Sequence, residues 1–160
     1  MRILILVAYF FCSIVISAEN TQDDEVIIIK TLLKLGGVKN NIEQLVESAP
    51  DSFATNWVKE TPYSLGKLQV DEYRENVRLA YEKHWSWEKV EAKLIRAYRG
   101  TLTYDQLVTY LKVIRGDQLG KEGQKKWAAM QKDIVYLQEN IDFHLGTLTK
   151  GVLNELHHAD

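Results

Sequence analysis

The sequence has very little cysteine and proline. Cys12 is the only cysteine, and Pro50 and Pro62 are the only prolines in 160 residues. A single cysteine excludes an intrachain disulfide and a multi-cysteine metal site. Because proline interrupts helices, the long stretch after Pro62 is free of the strongest helix breaker.

The chain also lacks an excess of either charge. It carries 20 Lys and Arg residues against 22 Asp and Glu residues, which gives a formal net charge of −2. This balance excludes a strongly basic nucleic-acid-binding protein. Hydrophobic residues make up 46% and charged residues 26%, which is typical of a globular domain rather than a disordered chain or a polytopic membrane protein. The length suits one domain.

The N-terminal residues have the pattern of an export signal. Arg2 precedes an apolar run over residues 3–16, and the small residues Ser17 and Ala18 follow. A cation, a short apolar stretch and a small residue at the cut are typical of a secretory signal peptide. We predict cleavage after Ala18, with residues 19–160 as the mature domain, which would lose Cys12. The alternative is an uncleaved membrane anchor. We expect a periplasmic or secreted bacterial protein, without a membrane span in the mature chain.

The rest of the sequence predicts an all-α, single-domain bundle of about five to six helices. Pro50 is expected to break a short second helix over residues 41–47, and the β-branched segment 26–29 also fits a strand. Thr103 and Gln106 form a capping box, in which each side chain bonds the other residue's backbone N–H. The longest apolar stripe, at helical spacing, comprises Trp127, Met130, Ile134, Leu137, Ile141, Leu145, Leu148 and Val152. Gly146 and Gly151 are expected to bend or fray its helix.

Two blocks of the sequence resemble a known family. The early block is residues 32–37, Leu-Leu-Lys-Leu-Gly-Gly, and the late block combines Thr103 to Gln106-Leu107 with Gly123-Gln124-Lys125. Together they resemble a family of secreted, periplasmic bacterial helical domains of unassigned function. This sequence has Lys121-Glu122 where that family often has Ser-Pro. The resemblance implies an all-α periplasmic domain and no catalytic residues.

The histidines are the candidates for chemistry. His84 with Glu82, or His144 with Asp142, would suit a small hydrolase or a metal-dependent enzyme, but no nucleophile motif accompanies either pair. We interpret both histidines as structural. Glu155, His157 and His158 are weak candidates for a terminal metal site, which we interpret as a polar chain end. We therefore predict no catalytic site, no metal and no cofactor.

Aromatic residues are the candidates for binding. Trp57, Tyr63, Trp85 and Trp87 fall within one stretch of the chain. Trp85 and Trp87 are two positions apart, so they cannot both face one side of a single helix, and we expect one to be exposed near Ser86. The leading hypothesis is a non-enzymatic envelope domain that acts by contact with another protein or with itself. The alternatives are the enzyme above and a periplasmic chaperone or apolar-ligand binder, which needs a cavity of roughly 300 Å³ or more.

Overall fold

Seven helices make up almost all of the described chain. The structure, a computed structural model, describes residues 22–61 and 66–157. Within those ranges it contains helices and no strand. The helices are α1 (22–35), α2 (Val38–Glu60), α3 (Lys67–His84), α4 (Trp87–Thr101), α5 (Tyr104–Arg115), α6 (Lys121–Ala129) and α7 (Gln131–His157). The all-α fold class is confirmed, and the predicted signal peptide lies outside the described residues.

The predicted count of about five to six helices is too low, because the last apolar stripe spans two helices. α6 ends at Ala129 and is followed by the C-cap residue Met130, which has φ −87° and ψ 4°. Backbone hydrogen bonds still cross this residue, from Met130 N–H to the Lys126 carbonyl at 3.1 Å and from Ile134 N–H to the Met130 carbonyl at 3.0 Å. The apolar spacing therefore continues across a break in the helix, which periodicity alone cannot detect.

Contrary to the prediction, Pro50 does not break the second helix. It lies inside α2, and both Pro50 and Ala49 are buried. A proline in a helix removes one i→i−4 hydrogen bond and crowds the preceding turn. Packing of the Ala49–Pro50 face against the rest of the bundle offsets that loss, so one long helix replaces the predicted short one.

The segment 26–29 is helical and not a strand. It belongs to α1, which buries Ile29, Leu32 and Leu33. Ile27 is 61% exposed and Leu35 is 51% exposed, so the buried face is narrower than the apolar run suggests. Gly37 follows with φ 63°, a left-handed conformation that glycine adopts at little cost, and it joins α1 to α2.

One core holds the bundle together. α2 packs on α3, and α7 packs on both α3 and α4. The largest side chains that are completely or almost completely buried are those of Ile29, Val77, Val90, Leu107, Met130 and Val152. α6 has no buried residue, so it lies at the edge of the packed region. Among the described residues, no helix is both long enough and apolar enough to cross a membrane.

A capping box and an aromatic stack hold together the corner formed by α4, α5 and α6. The predicted capping box is confirmed, since Thr103 N–H donates to Gln106 Oε1 at 2.8 Å and Gln106 N–H donates to Thr103 Oγ1 at 3.4 Å. Tyr110 stacks between Tyr98 and Trp127, with ring centroids 6.5 and 5.9 Å away. Burial raises the pKa of Tyr98 to about 12, which keeps its phenol neutral in this stack.

Candidate functional site at the turn between α3 and α4

The turn between α3 and α4 orients two neighbouring tryptophans differently. Trp85 N–H donates to the Tyr81 carbonyl at 2.7 Å, and the Ser86 carbonyl accepts from Lys89 N–H at 3.0 Å. Ser86 is the N-cap residue of α4. Trp85 is 7% exposed, whereas Trp87 is half-buried. Of this pair, Trp87 therefore has the greater access to solvent.

Trp85 belongs to an aromatic cluster between α2 and α3. Its ring lies 6.2 Å from that of Tyr81, and Tyr81 meets Phe53 edge-on at 5.8 Å. The indole N–H of Trp85 is buried and has no hydrogen-bond partner among the described residues. Buried donors are nearly always paired in proteins, so this N–H is an unusual feature of the turn.

Both tryptophans line a cleft of about 280 Å³ between α2 and the turn. We call it the acidic cleft. It is lined by Ile42, Glu43, Val46, Glu47, Glu82, Trp85, Ser86 and Trp87. These residues include carboxylates and no Lys or Arg, so the cleft combines apolar walls with negative charge.

Two of these carboxylates have partners outside the cleft lining. Glu43 lies 3.6 Å from Lys39, and Glu82 is bonded to Arg78. Glu47 forms no ion pair within the described part of the chain. The cleft therefore keeps at least one carboxylate that no cation of the described chain neutralises.

Trp87 also lines a second depression, of about 550 Å³. We call it the lysine groove. It is lined by Lys30, Leu33, Lys34, Gly37, Lys39, Asn40, Trp87 and Glu91. Its only carboxylate belongs to Glu91, which pairs with Lys30 at 3.0 Å. Trp87 therefore lines both a cleft with acidic residues and a groove with mainly basic residues.

The other two aromatic candidates are not brought to this cleft. Trp57 stacks on Tyr73 with ring centroids 4.3 Å apart and planes 27° apart, and it lies about three helical turns beyond Val46 on α2. This contact joins α2 to α3. Tyr63 lies outside the described residues.

The residues of α2 that complete the cleft were not among the predicted site residues. Ile42-Glu43 and Val46-Glu47 repeat an apolar–acidic pair at a spacing of four, which places both pairs on one helix face. That repeat was a usable signal. Its relation to Trp85 and Trp87 depends on how α2 packs against the turn, which the sequence does not specify.

His84 contacts a carboxylate other than the predicted one. Its Nε2 lies 2.7 Å from Glu155 Oε2, and Lys83 Nζ lies 2.7 Å from Glu155 Oε1. The hydrogen bonds from Lys83 and His84 lower the pKa of Glu155. Glu82 is bonded to Arg78 instead. No hydroxyl of the described residues is hydrogen-bonded to the His84 ring, so the contact is an acid–imidazole pair that ties α3 to α7.

His144 has cationic neighbours on α4. Burial, and then the charges of Lys93 and Arg96, lower its pKa. Asp142, its predicted acidic partner, accepts a hydrogen bond from Gln138 at 3.0 Å. The structure therefore does not bring His144 and Asp142 together as an acid–imidazole pair.

The weak metal candidates at the C-terminus are separated. Glu155 is held by Lys83 and His84, His157 is exposed at the end of α7, and His158 lies outside the described residues. Across residues 22–61 and 66–157, no group of three or more His, Cys, Asp or Glu side chains is placed to hold a metal ion.

Comparisons with known proteins found no match to this chain among protein-family models, curated proteins or solved structures. The resemblance to secreted bacterial helical domains therefore stays a prediction. The acidic cleft and the lysine groove have to be interpreted from their own chemistry.

Proposed function

We propose that this protein is a non-enzymatic binding domain that acts by contact with another protein at the α3–α4 turn. The observation that carries this proposal is the position of Trp87, half-buried between the acidic cleft and the lysine groove. Tryptophan is enriched at the energetic centres of protein interfaces. Opposite charges on its two sides would fix the orientation of a partner with the complementary pattern.

The environments of the histidines support a non-enzymatic role. A general base needs a reacting group within hydrogen-bond reach. Glu155 accepts from both Lys83 and His84, which is a complete structural contact between helices. His144 has Lys93 and Arg96 beside it, which suits a structural residue better than a base activated by a carboxylate.

We place this binding domain in the bacterial envelope or outside the cell. The proposal rests on the N-terminal pattern, with removal of residues 1–18. Intact mass spectrometry of the protein expressed from its full sequence tests it, and we expect a mass that matches residues 19–160. A protein that retains residues 1–18 would favour the membrane-anchor alternative.

The shape of the two depressions bears on the chaperone or apolar-ligand alternative. The lysine groove, at about 550 Å³, lies within the roughly 300–1,000 Å³ of small-molecule sites, so its size alone would admit a small ligand. Its lining includes Lys30, Lys34, Lys39 and Glu91, so a purely apolar ligand would leave charged groups against its surface. A protein partner with polar and apolar groups fits this lining better.

Site-specific photo-crosslinking tests the proposed contact. A benzophenone amino acid replaces Trp87 in the full chain, in the cells that produce it, and the matched control replaces Tyr136, an aromatic residue of α7 that is 58% exposed. We expect a discrete cross-linked protein from position 87 and none from position 136. An adduct of twice the chain mass would identify self-association, whereas no adduct at position 87 would refute the contact.

A further inference from the structure

We infer that the acidic cleft binds a basic side chain, lysine or arginine, of a partner polypeptide. This inference rests on the proposed function, because it names the chemistry of the partner that contacts the α3–α4 turn. It also predicts a measurable ligand preference of the isolated protein.

The charge of the cleft selects a cation. Its lining contains Glu43, Glu47 and Glu82 and no cationic residue. The pairs of Glu43 with Lys39 and of Glu82 with Arg78 are exposed contacts within single helices. Such exposed pairs contribute little, so these carboxylates can also interact with an incoming cation. Glu47 has no ion-pair partner in the described part of the chain and is the most available of the three.

The apolar walls select a cation on a hydrocarbon stem. Ile42 and Val46 lie one turn apart on α2, and the indoles of Trp85 and Trp87 line the same cleft. Lysine and arginine bury their methylene stems against apolar surface while the charged head stays near solvent. Indole rings also attract ammonium and guanidinium groups within about 6 Å. A small inorganic cation would not use these walls.

The size of the cleft fits one side chain. Its volume of about 280 Å³ lies just below the roughly 300–1,000 Å³ of sites for drug-sized ligands. Ser86 and the two tryptophans form part of its lining. An occupant therefore inserts a single side chain while the rest of the partner stays outside.

The buried N–H of Trp85 points to a polypeptide rather than a free amine. This donor has no partner among the described residues, and the ring that carries it lines the cleft. An unpaired buried donor is costly. A peptide segment offers carbonyl acceptors beside its basic side chain, and one of them can pair with this N–H when the ring turns to uncover it, whereas a simple alkylamine offers none.

Titration with short peptides tests this inference. The full chain is titrated with Gly-Gly-Lys-Gly-Gly, with its arginine and glutamate counterparts, and with n-butylamine, and binding is followed by ligand-detected NMR. We expect the lysine and arginine peptides to bind and the glutamate peptide not to bind.

Glu47→Lys should weaken lysine-peptide binding at least about tenfold, because it places a like charge in the cleft. Glu72→Lys makes the same charge change at an exposed position of α3 outside the cleft, and it should leave the affinity within about twofold.

Trp85→Phe separates the two sources of a cation. It removes the indole N–H but keeps an aromatic ring, so it should weaken binding of the lysine peptide more than binding of n-butylamine, which loses only part of the attraction between the ring and its ammonium group. Equal affinities of the unmodified protein for butylamine and the lysine peptide would overturn the assignment to a polypeptide.

The outcome also separates this inference from the proposed function. Binding of the glutamate peptide, or an unchanged affinity in Glu47→Lys, would overturn the inference even if position 87 still cross-links a protein. Selective binding of the lysine peptide without any cross-linked protein would support the cation site and refute the proposed contact.

Discussion

Helix α7 meets its two neighbours in different ways. Near Gly151 it lies against the end of α3, where a Cβ added to the glycine would come within 2.5 Å of His84 Nδ1 and 2.9 Å of Cε1. Five residues earlier, a Cβ added to Gly146 would meet nothing within 4 Å. The two glycines lie in the same continuous helix, yet only one of them is needed for close approach.

The polar contacts of the two segments differ as well. Around Gly151, Lys83 and His84 of α3 both bond to Glu155. Around Gly146, His144 lies near the cations Lys93 and Arg96 of α4. A glycine in a helix costs stability because its backbone has more freedom to lose. The close packing of His84 offsets that loss of stability at Gly151. No comparable contact offsets it at Gly146.

The largest effect is expected from Gly151→Ala. The added methyl group forces the His84 ring away from α7 and breaks its contact with Glu155. Overpacking of this kind costs about 1–3 kcal/mol, against a gain of about 1 kcal/mol in helix propensity. We expect the free energy of unfolding to fall by up to about 2 kcal/mol, measured by urea denaturation.

Removal of the ring provides the control for this clash. In a His84→Ala background, Gly151→Ala no longer meets an imidazole, so it should be neutral or stabilising. A loss of stability of the same size in both backgrounds would show that His84 is not the group that excludes a side chain at position 151.

Gly146→Ala is expected to have a smaller effect of the opposite sign. The position is helical, has a negative φ and has open space around the glycine. Alanine should therefore raise the free energy of unfolding by up to about 1 kcal/mol, measured in the same denaturation experiment. A destabilised variant would mean that α7 needs flexibility at this position, as the sequence prediction of a bend or fray implied.

The sequence predicts the features that depend on local spacing. The apolar stripe from Trp127 to Val152 becomes the core face of α6 and α7, and the Thr103–Gln106 box forms as expected. The sequence does not distinguish Gly146 from Gly151, because both are weak helix formers. Only the packing of α3 against α7 makes the two positions different. The carboxylate that reaches His84 is likewise 71 residues away in sequence, so no local pattern identifies it.

The candidate site was predictable in part for the same reason. Spacing alone indicates that Trp85 and Trp87 face different directions, and the structure places them at 7% exposed and half-buried. The charge on each side of Trp87 comes from other helices, with Glu47 on α2 and Lys30 on α1. Those neighbours follow from the packing of the bundle and not from the turn itself.

The smallest effect is expected from a change in pH. The segments of α7 around His144 and around Glu155 should lose stability in different pH ranges. The pKa of His144 lies below its ordinary value of 6.5 in the folded protein because of burial and the charges of Lys93 and Arg96. The unfolded chain therefore binds a proton more readily, and stability falls as the pH drops below 6.5. The pKa of Glu155 lies below 4.5 because Lys83 and His84 bond to its charged form, so its contribution to stability is lost only at lower pH.

We expect His144→Gln to reduce the difference in urea midpoint between pH 7.5 and pH 5.5, while Glu155→Gln flattens the decline below pH 4.5. An unchanged difference between pH 7.5 and pH 5.5 in His144→Gln would show that the cations of α4 do not set the acid sensitivity of this segment.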